Sequence, residues 1–165
     1  MKGILTLSLL LLSASIAYSA TLPDETLGHW KGTRRDGGDG TVAPMSLLVE
    51  SLTDGLGTIE RIEVTTEGDP YVGFTVRLKN PETGEWTAIY GNDVRERFAR
   101  MKAVFEEERT LWNSTTVRPP RLSRLVSQFQ EDGLWRRTQE HSDDGGRTWK
   151  VRFVDELRKE EAPND

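Results

Sequence analysis

Cysteine is absent from the 165 residues. Its absence excludes disulfide staples, thiolate metal sites, a thiol nucleophile and a lipid-modified N-terminal cysteine. Histidine is scarce: His29 and His141 lie far apart, and no His-x-His or His-x-x-x-His spacing exists, so neither a metal site nor a cofactor is expected. No apolar run reaches the roughly 20 residues of a membrane-spanning helix. Net basic charge is lacking as well. The formal charge is −5, a poor footing for sequence-blind nucleic-acid binding. No nucleophile elbow, glycine-rich phosphate loop or zincin motif occurs. Carboxylates are plentiful, but Glu106-Glu107-Glu108 reads as solvated charge at a turn and no acid–base pair stands out, so no catalytic residue is assigned.

What is present begins with a tripartite N-terminus. Met1-Lys2-Gly3 precedes the apolar run Ile4–Leu12, and Ser13–Ala20 is mostly small. This is the pattern of a secretory signal, expected over 1–19, with Ala17 and Ser19 as the small residues before the cut. The expectation is an exported protein, periplasmic or extracellular, without an integral membrane association once the signal is removed. Roughly 145 residues would remain, enough for one domain with its own core. That domain is expected over 20–159, followed by a disordered acidic tail over 160–165.

Turn signals then recur about one strand apart: Gly37-Gly38-Asp39-Gly40, Thr53-Asp54-Gly55, Glu67-Gly68-Asp69-Pro70, Asn80–Gly84, Gly91-Asn92-Asp93, Glu131-Asp132-Gly133 and Asp143–Gly146. Gly, Asn and Asp tolerate the positive φ that tight hairpins require. Between them, apolar residues alternate with polar ones. Met45, Leu47 and Val49 share a face, as do Ile62 and Val64. Val72, Phe74, Val76 and Leu78 oppose Thr75 and Arg77. Trp86, Ala88 and Tyr90 form a further set, and Trp149, Val151 and Phe153 another. One dry and one wet face mark antiparallel sheet. About eight to ten such strands in a meander predict an all-β, up-and-down antiparallel barrel, because closure removes exposed edges. Val94–Phe105 also carries helical spacing at Val94, Phe98, Met101 and Phe105, so a turn or two of helix leading into a strand is the competing reading there.

Two end motifs carry a resemblance. Leu27-Gly28-His29-Trp30-Lys31-Gly32 opens the domain. Trp135, then Ser142-Asp143-Asp144-Gly145-Gly146-Arg147-Thr148-Trp149, Phe153 and Arg158-Lys159 close it. Together they resemble the calycin superfamily of lipocalin-like barrels. More narrowly, they resemble a family of secreted bacterial lipocalin-like proteins of unknown function, the DUF1579 type. The resemblance implies that Gly28 and Trp30 start a first strand whose indole plugs one barrel end. It also implies that Arg158 packs over that indole, a contact worth about 0.5–2 kcal/mol. Val94–Arg97 departs from the pattern as a charged insertion. Ser142, Asp144, Gly146, Thr148 and Trp149 also match the Asp-box of sialidase-type propellers. It occurs once here, so a structural hairpin clamp is expected and not a propeller.

The strand Leu134–His141 holds the most informative ambiguity. If Trp135 points inward, Arg137, Gln139 and His141 follow it by period two. Alternatively Leu134 and Thr138 point inward and Arg137 is a solvated outer charge. An inward Arg137 requires an acidic partner or an anionic ligand head, because an unpaired buried guanidinium costs several kcal/mol. Trp86, Tyr90, Trp135, Arg137 and Gln139 are therefore the candidate ligand-binding residues. The function expected first is a carrier or sensor for a small, partly apolar ligand with an anionic head. A filled barrel working through its surface at the cell envelope comes second, and a calycin-type enzyme with a cavity active site third.

Overall fold

The computed structural model describes residues 24–52, 55–66, 70–93 and 98–161. The signal expected over 1–19, the last residues of the expected tail and Val94–Arg97 lie outside them. One 3-10 turn, Asp24–Thr26, leads into ten strands: β1 (Gly28–Asp36), β2 (Val42–Ser51), β3 (Gly57–Val64), β4 (Tyr71–Lys79), β5 (Trp86–Asn92), β6 (Phe98–Phe105), β7 (Thr110–Ser114), β8 (Leu122–Phe129), β9 (Trp135–Ser142) and β10 (Lys150–Lys159). Each strand pairs antiparallel with its sequence neighbours, and β10 returns to β1, so the sheet is a closed up-and-down barrel. Of the ambiguous stretch, Phe98–Phe105 is strand. No helix among the described residues is long and apolar enough to cross a membrane.

The turns are built by the residues that signalled them. Asn80 Oδ1 accepts from the amides of Glu82 (2.8 Å) and Thr83 (3.1 Å), and Gly84 closes the loop at φ 72° by donating to the Asn80 carbonyl. That is an Asx-type turn, with a left-handed residue supplied by glycine. Gly32 serves a different need at the closing seam. A Cβ there would sit 1.8 Å from the Glu156 carbonyl oxygen of β10, so β1 and β10 meet at this distance only because the side chain is absent. The tail begins tied down: the Glu160 amide donates to the His29 carbonyl and its carboxylate pairs with Lys31 at 2.7 Å.

Three expectations of side-chain direction are corrected. On β4 the apolar set faces out: Val72, Phe74 and Leu78 are 36%, 42% and 47% exposed, while Thr75 and Arg77 are buried. The register forces this. Residues directly opposite across a ladder share a face, and Thr75 stands opposite Glu60, Gly73 opposite Ile62 and Arg77 opposite Thr58, all inward on β3. On β10 the alternation breaks at a bulge, where Val151 opposes Glu140 and Phe153 opposes Gln139, leaving Arg152 extra. Val151 consequently faces out and Phe153 in, so they do not share a face, and Trp149 precedes the strand. Finally, Arg158 does not cover Trp30. It faces outward and binds Asp132 at 2.6 Å, while Lys159, the register partner of Trp30, holds its ammonium 5.7 Å from the indole. Leu157 is fully buried, so alternation sends Arg158 out and Lys159 back over the plug.

Candidate ligand-binding site

One barrel end is sealed by packing. Trp30 meets Trp135 edge-on at 5.0 Å, Trp135 stacks on Phe129 at 5.3 Å, and Leu47, Val49 and Leu157 surround them. Both indole N–H groups are satisfied within the plug: Trp30 donates to the Thr26 carbonyl (3.0 Å) and Trp135 to Ser127 Oγ (2.8 Å). Each can therefore be buried without an orphan donor.

Above the plug the interior is charged. Glu60 of β3 and Asp155 of β10 are fully buried, Arg77 of β4 and Arg137 of β9 nearly so, and Arg34 of β1 mostly. Arg77 Nη2 donates to Glu60 Oε2 at 2.6 Å. Arg34 grips Asp155 with both prongs of its fork, Nε to Oδ1 at 2.6 Å and Nη2 to Oδ2 at 2.9 Å. Its guanidinium also lies 3.8 Å from the Phe153 ring centre. Arg137 stands between the acids, with Nη1 3.1 Å from Glu60 Oε1 and Nε 3.8 Å from Asp155 Oδ2. Both contacts are buried ion pairs, and neither nitrogen is open to solvent. Burial pushes the Glu60 carboxyl upward, but the charges of Arg137 and Arg77 outweigh it and hold the group below its ordinary 4.5. A carboxylate held this way is an anion fixed between two guanidiniums.

Over this floor opens a cavity of about 620 Å³, within the usual range for small-molecule sites. Its walls are partly apolar, from Ala43, Ile62, Val64, Met101, Trp112, Leu125 and Phe153. Its polar groups include Arg34, Thr75, Arg77, Arg124, Arg137 and Gln139 with the two phenols Tyr71 and Tyr90. Tyr90 accepts from Asn92 Nδ2 at 3.1 Å, and Gln139 Nε2 donates to Ser123 Oγ at 2.8 Å. The mouth lies at the end carrying the β1–β2 turn, where Asp36, Asp39 and Arg152 are exposed.

Of the five residues expected to bind a ligand, Tyr90, Arg137 and Gln139 line this cavity together. Trp135 is committed to the plug beneath it, 5.4 Å from the Arg137 guanidinium. Trp86 is buried with Ala88, Trp112 and Leu125 and does not reach the cavity wall. Arg137 points inward, so the reading with Leu134 and Thr138 inside is overturned. His29 is exposed, and His141 is partly buried away from the cavity lining. Glu60, Arg77, Asp155 and Arg34 were missed. Period two from Ile62 and Val64 reaches Glu60, and from Leu157 it reaches Asp155, so both were available to a reading that carried each face past its apolar residues.

The Asp-box residues cap the mouth end. Ser142 Oγ donates to Asp144 Oδ1, the Thr148 amide donates to the same oxygen at 2.9 Å, and Thr148 Oγ1 donates to Oδ2 at 2.7 Å. These donors, the Thr148 hydroxyl foremost, push the Asp144 carboxyl down to about 2. Trp149 donates to the Gly146 carbonyl and lies under Arg124, whose guanidinium is 3.8 Å from its ring centre. Comparison of the sequence with protein-family models and with curated proteins gives no match.

Proposed function

We propose that the protein is a lipocalin-like carrier or sensor, exported to the periplasm or the medium, that binds a small, partly apolar ligand with an anionic head inside the barrel. The kinship with secreted DUF1579-type proteins, argued from Gly28, Trp30 and the Ser142–Trp149 motif, belongs to the same proposal. The observation that carries it is the cavity: about 620 Å³ of open space with apolar walls above a floor of inward arginines. Native mass spectrometry against a panel of lipids and metabolites tests it. The expected result is a one-to-one complex with an amphipathic anion. A panel without a single binder would remove the reading. Export is tested separately by N-terminal sequencing of protein from the periplasmic fraction, where the expected first residue is Ala20.

A second reading has its own support. Ile59, Val76 and Ile89 align across β3, β4 and β5 on the outer face, and Phe74 and Phe98 flank Gly91 in the next row. An exposed apolar surface of this kind suits an envelope-associated interaction protein. Cross-linking in intact cells would detect a partner whose capture is lost in a Phe74→Ser, Phe98→Ser double variant.

A further inference from the structure

We infer that the open end of the barrel docks on an anionic lipid bilayer, with Phe74 and Phe98 entering its surface layer and Arg100, Arg118, Arg121 and Arg147 meeting the head-group charge. The inference rests on the second reading above and names the partner of that surface.

The apolar part stands at the rim. Phe98 opens β6, lines the cavity mouth and is 67% exposed, the highest value among the exposed large apolar side chains of the described residues. Register brings Phe74 beside it across Gly91, and Val72, also exposed, lies one row nearer the opening. Water is a poor neighbour for such a group, and the interface of a bilayer accepts it.

The cations follow on three neighbouring segments. Arg100 shares the outer face of β6 with Phe98 by period two. Arg118 and Arg121 lie in the β7–β8 loop, where the Thr115 amide donates to the Arg100 carbonyl at 2.8 Å. Arg147 lies in the Ser142–Trp149 hairpin, where the Gly145 amide donates to the Pro120 carbonyl at 2.8 Å. All four arginines are exposed, and none has an ion-pair partner among the described residues. The described acids of this sector are already engaged. Asp143 pairs with Lys150, Glu140 holds Arg124, Asp144 accepts from Ser142 and Thr148, and Asp93 accepts from the Val72 amide. Elsewhere on the rim, Arg35 and Arg152 offset Asp36 and Asp39.

The closed end has the other sign. Its described turns carry Glu82 and Glu85, then Glu106, Glu107 and Glu108, then Glu131 and Asp132. Against them stand Arg109 in one turn and Lys102 and Arg158 reaching in from the strands. A chain of net charge −5 is thus polarised along its axis, with its cationic sector beside the exposed aromatics. An anionic surface turns such a body open end first. A soluble polyanion would use the arginines and leave Phe74 and Phe98 in water.

The test is co-sedimentation with vesicles of phosphatidylcholine alone and of phosphatidylcholine and phosphatidylglycerol in equal parts. Every arm uses protein with one N-terminus, read by sequencing, so that the segment 1–19 contributes equally wherever it is retained. The mixed vesicles are expected to bind at least tenfold more tightly than the neutral ones. Salt at about 1 M, which screens charges beyond roughly 3 Å, should remove that difference. The Arg118→Gln, Arg121→Gln pair should lower affinity for the mixed vesicles by about fivefold per cation. The Lys79→Gln, Arg109→Gln pair takes the same two charges from the closed end and should leave affinity within twofold. Phe98→Ser should weaken binding to both compositions. Three results would each overturn the bilayer as partner: no preference for the mixed vesicles, equal losses from the two pairs, or polyglutamate bound as tightly as mixed vesicles and indifferent to Phe98→Ser. The cross-linking experiment then decides the second reading by itself. A protein partner captured there keeps that reading without the lipid, and the lack of one removes it too.

Discussion

Glu60 holds the interior together as a single residue. It reaches two guanidiniums at once, Arg77 at 2.6 Å and Arg137 at 3.1 Å, and Thr75 Oγ1 approaches the same carboxylate at 3.4 Å. Taking such charges out of water costs several kcal/mol per ion, and mutual attraction offsets this only while every member is present. Glu60→Gln keeps the shape and removes the charge, leaving two neighbouring guanidiniums to repel. The expected loss is about 3–5 kcal/mol in urea denaturation, the cost of breaking a buried pair from one side. The pH dependence follows from the direction of its shift. With its folded value lowered from 4.5, Glu60 contributes stability that is complete above pH 4.5 and lost as pH falls through that lower value. Asp39, Asp132 and Asp144 shift the same way, so the quantity to read is the difference between wild type and Glu60→Gln. That difference should hold steady from pH 7 to 5 and shrink at lower pH. A difference independent of pH down to acid denaturation would mean that the carboxylate charge is not what stabilises the pair.

At the scale of the element, β4 is turned inside out relative to its own composition. Its alternation is regular, and alternation says only that two faces differ. It does not say which face a closed barrel with a polar floor keeps for itself. What decides is the partner strand: once Ile62 and Val64 of β3 fix that strand's inner face, the ladder fixes β4. The outward Phe74 and Phe98 have a local role. A Cβ on Gly91 would lie 2.9 Å from one ring and 3.0 Å from the other, so the two aromatics cover the gap that glycine leaves in the sheet. The strands, the described turns and the closed barrel were therefore legible in the sequence, while alternation along Leu134–His141 left the direction of Arg137 open. The acids that face Arg137 were not seen, because charged residues were read as solvent-facing by default. The bulge at Arg152 and the exchange of Arg158 for Lys159 turn on a register of one residue, which composition does not encode. A matched pair of substitutions checks the inversion. Val64→Thr introduces a hydroxyl where the side chain is 2% exposed and should cost about 1–3 kcal/mol. Val72→Thr, on the neighbouring strand's outer face, should change stability by no more than about 0.5 kcal/mol. Equal costs in thermal unfolding would place Val72 inside after all.

Over the whole molecule, closure and the charged floor are one construction. The charged residues come from β1, β3, β4, β9 and β10, so they stand on both sides of the seam where the sheet meets itself. Arg34 and Asp155 are direct partners across that seam, and their bidentate pair ties β1 to β10 from within while the ladder Trp30–Asp36 ties them along the backbone. At Gly32 the two strands leave no room for a side chain: a Cβ there meets the carbonyl of Glu156 within bonding distance. Gly32→Val must push the seam apart. Separation severs the Arg34–Asp155 pair, frees two strand edges that the meander otherwise conceals, and opens the cavity at its floor. The expected destabilisation is about 4 kcal/mol or more, in the range reserved for a named structural failure. Exposed edges should also shift the protein toward higher oligomers in size-exclusion chromatography. Gly32→Val protein that stays monomeric with an unchanged unfolding temperature would mean that the seam tolerates a gap, and that the barrel's closure does not depend on contact at Gly32.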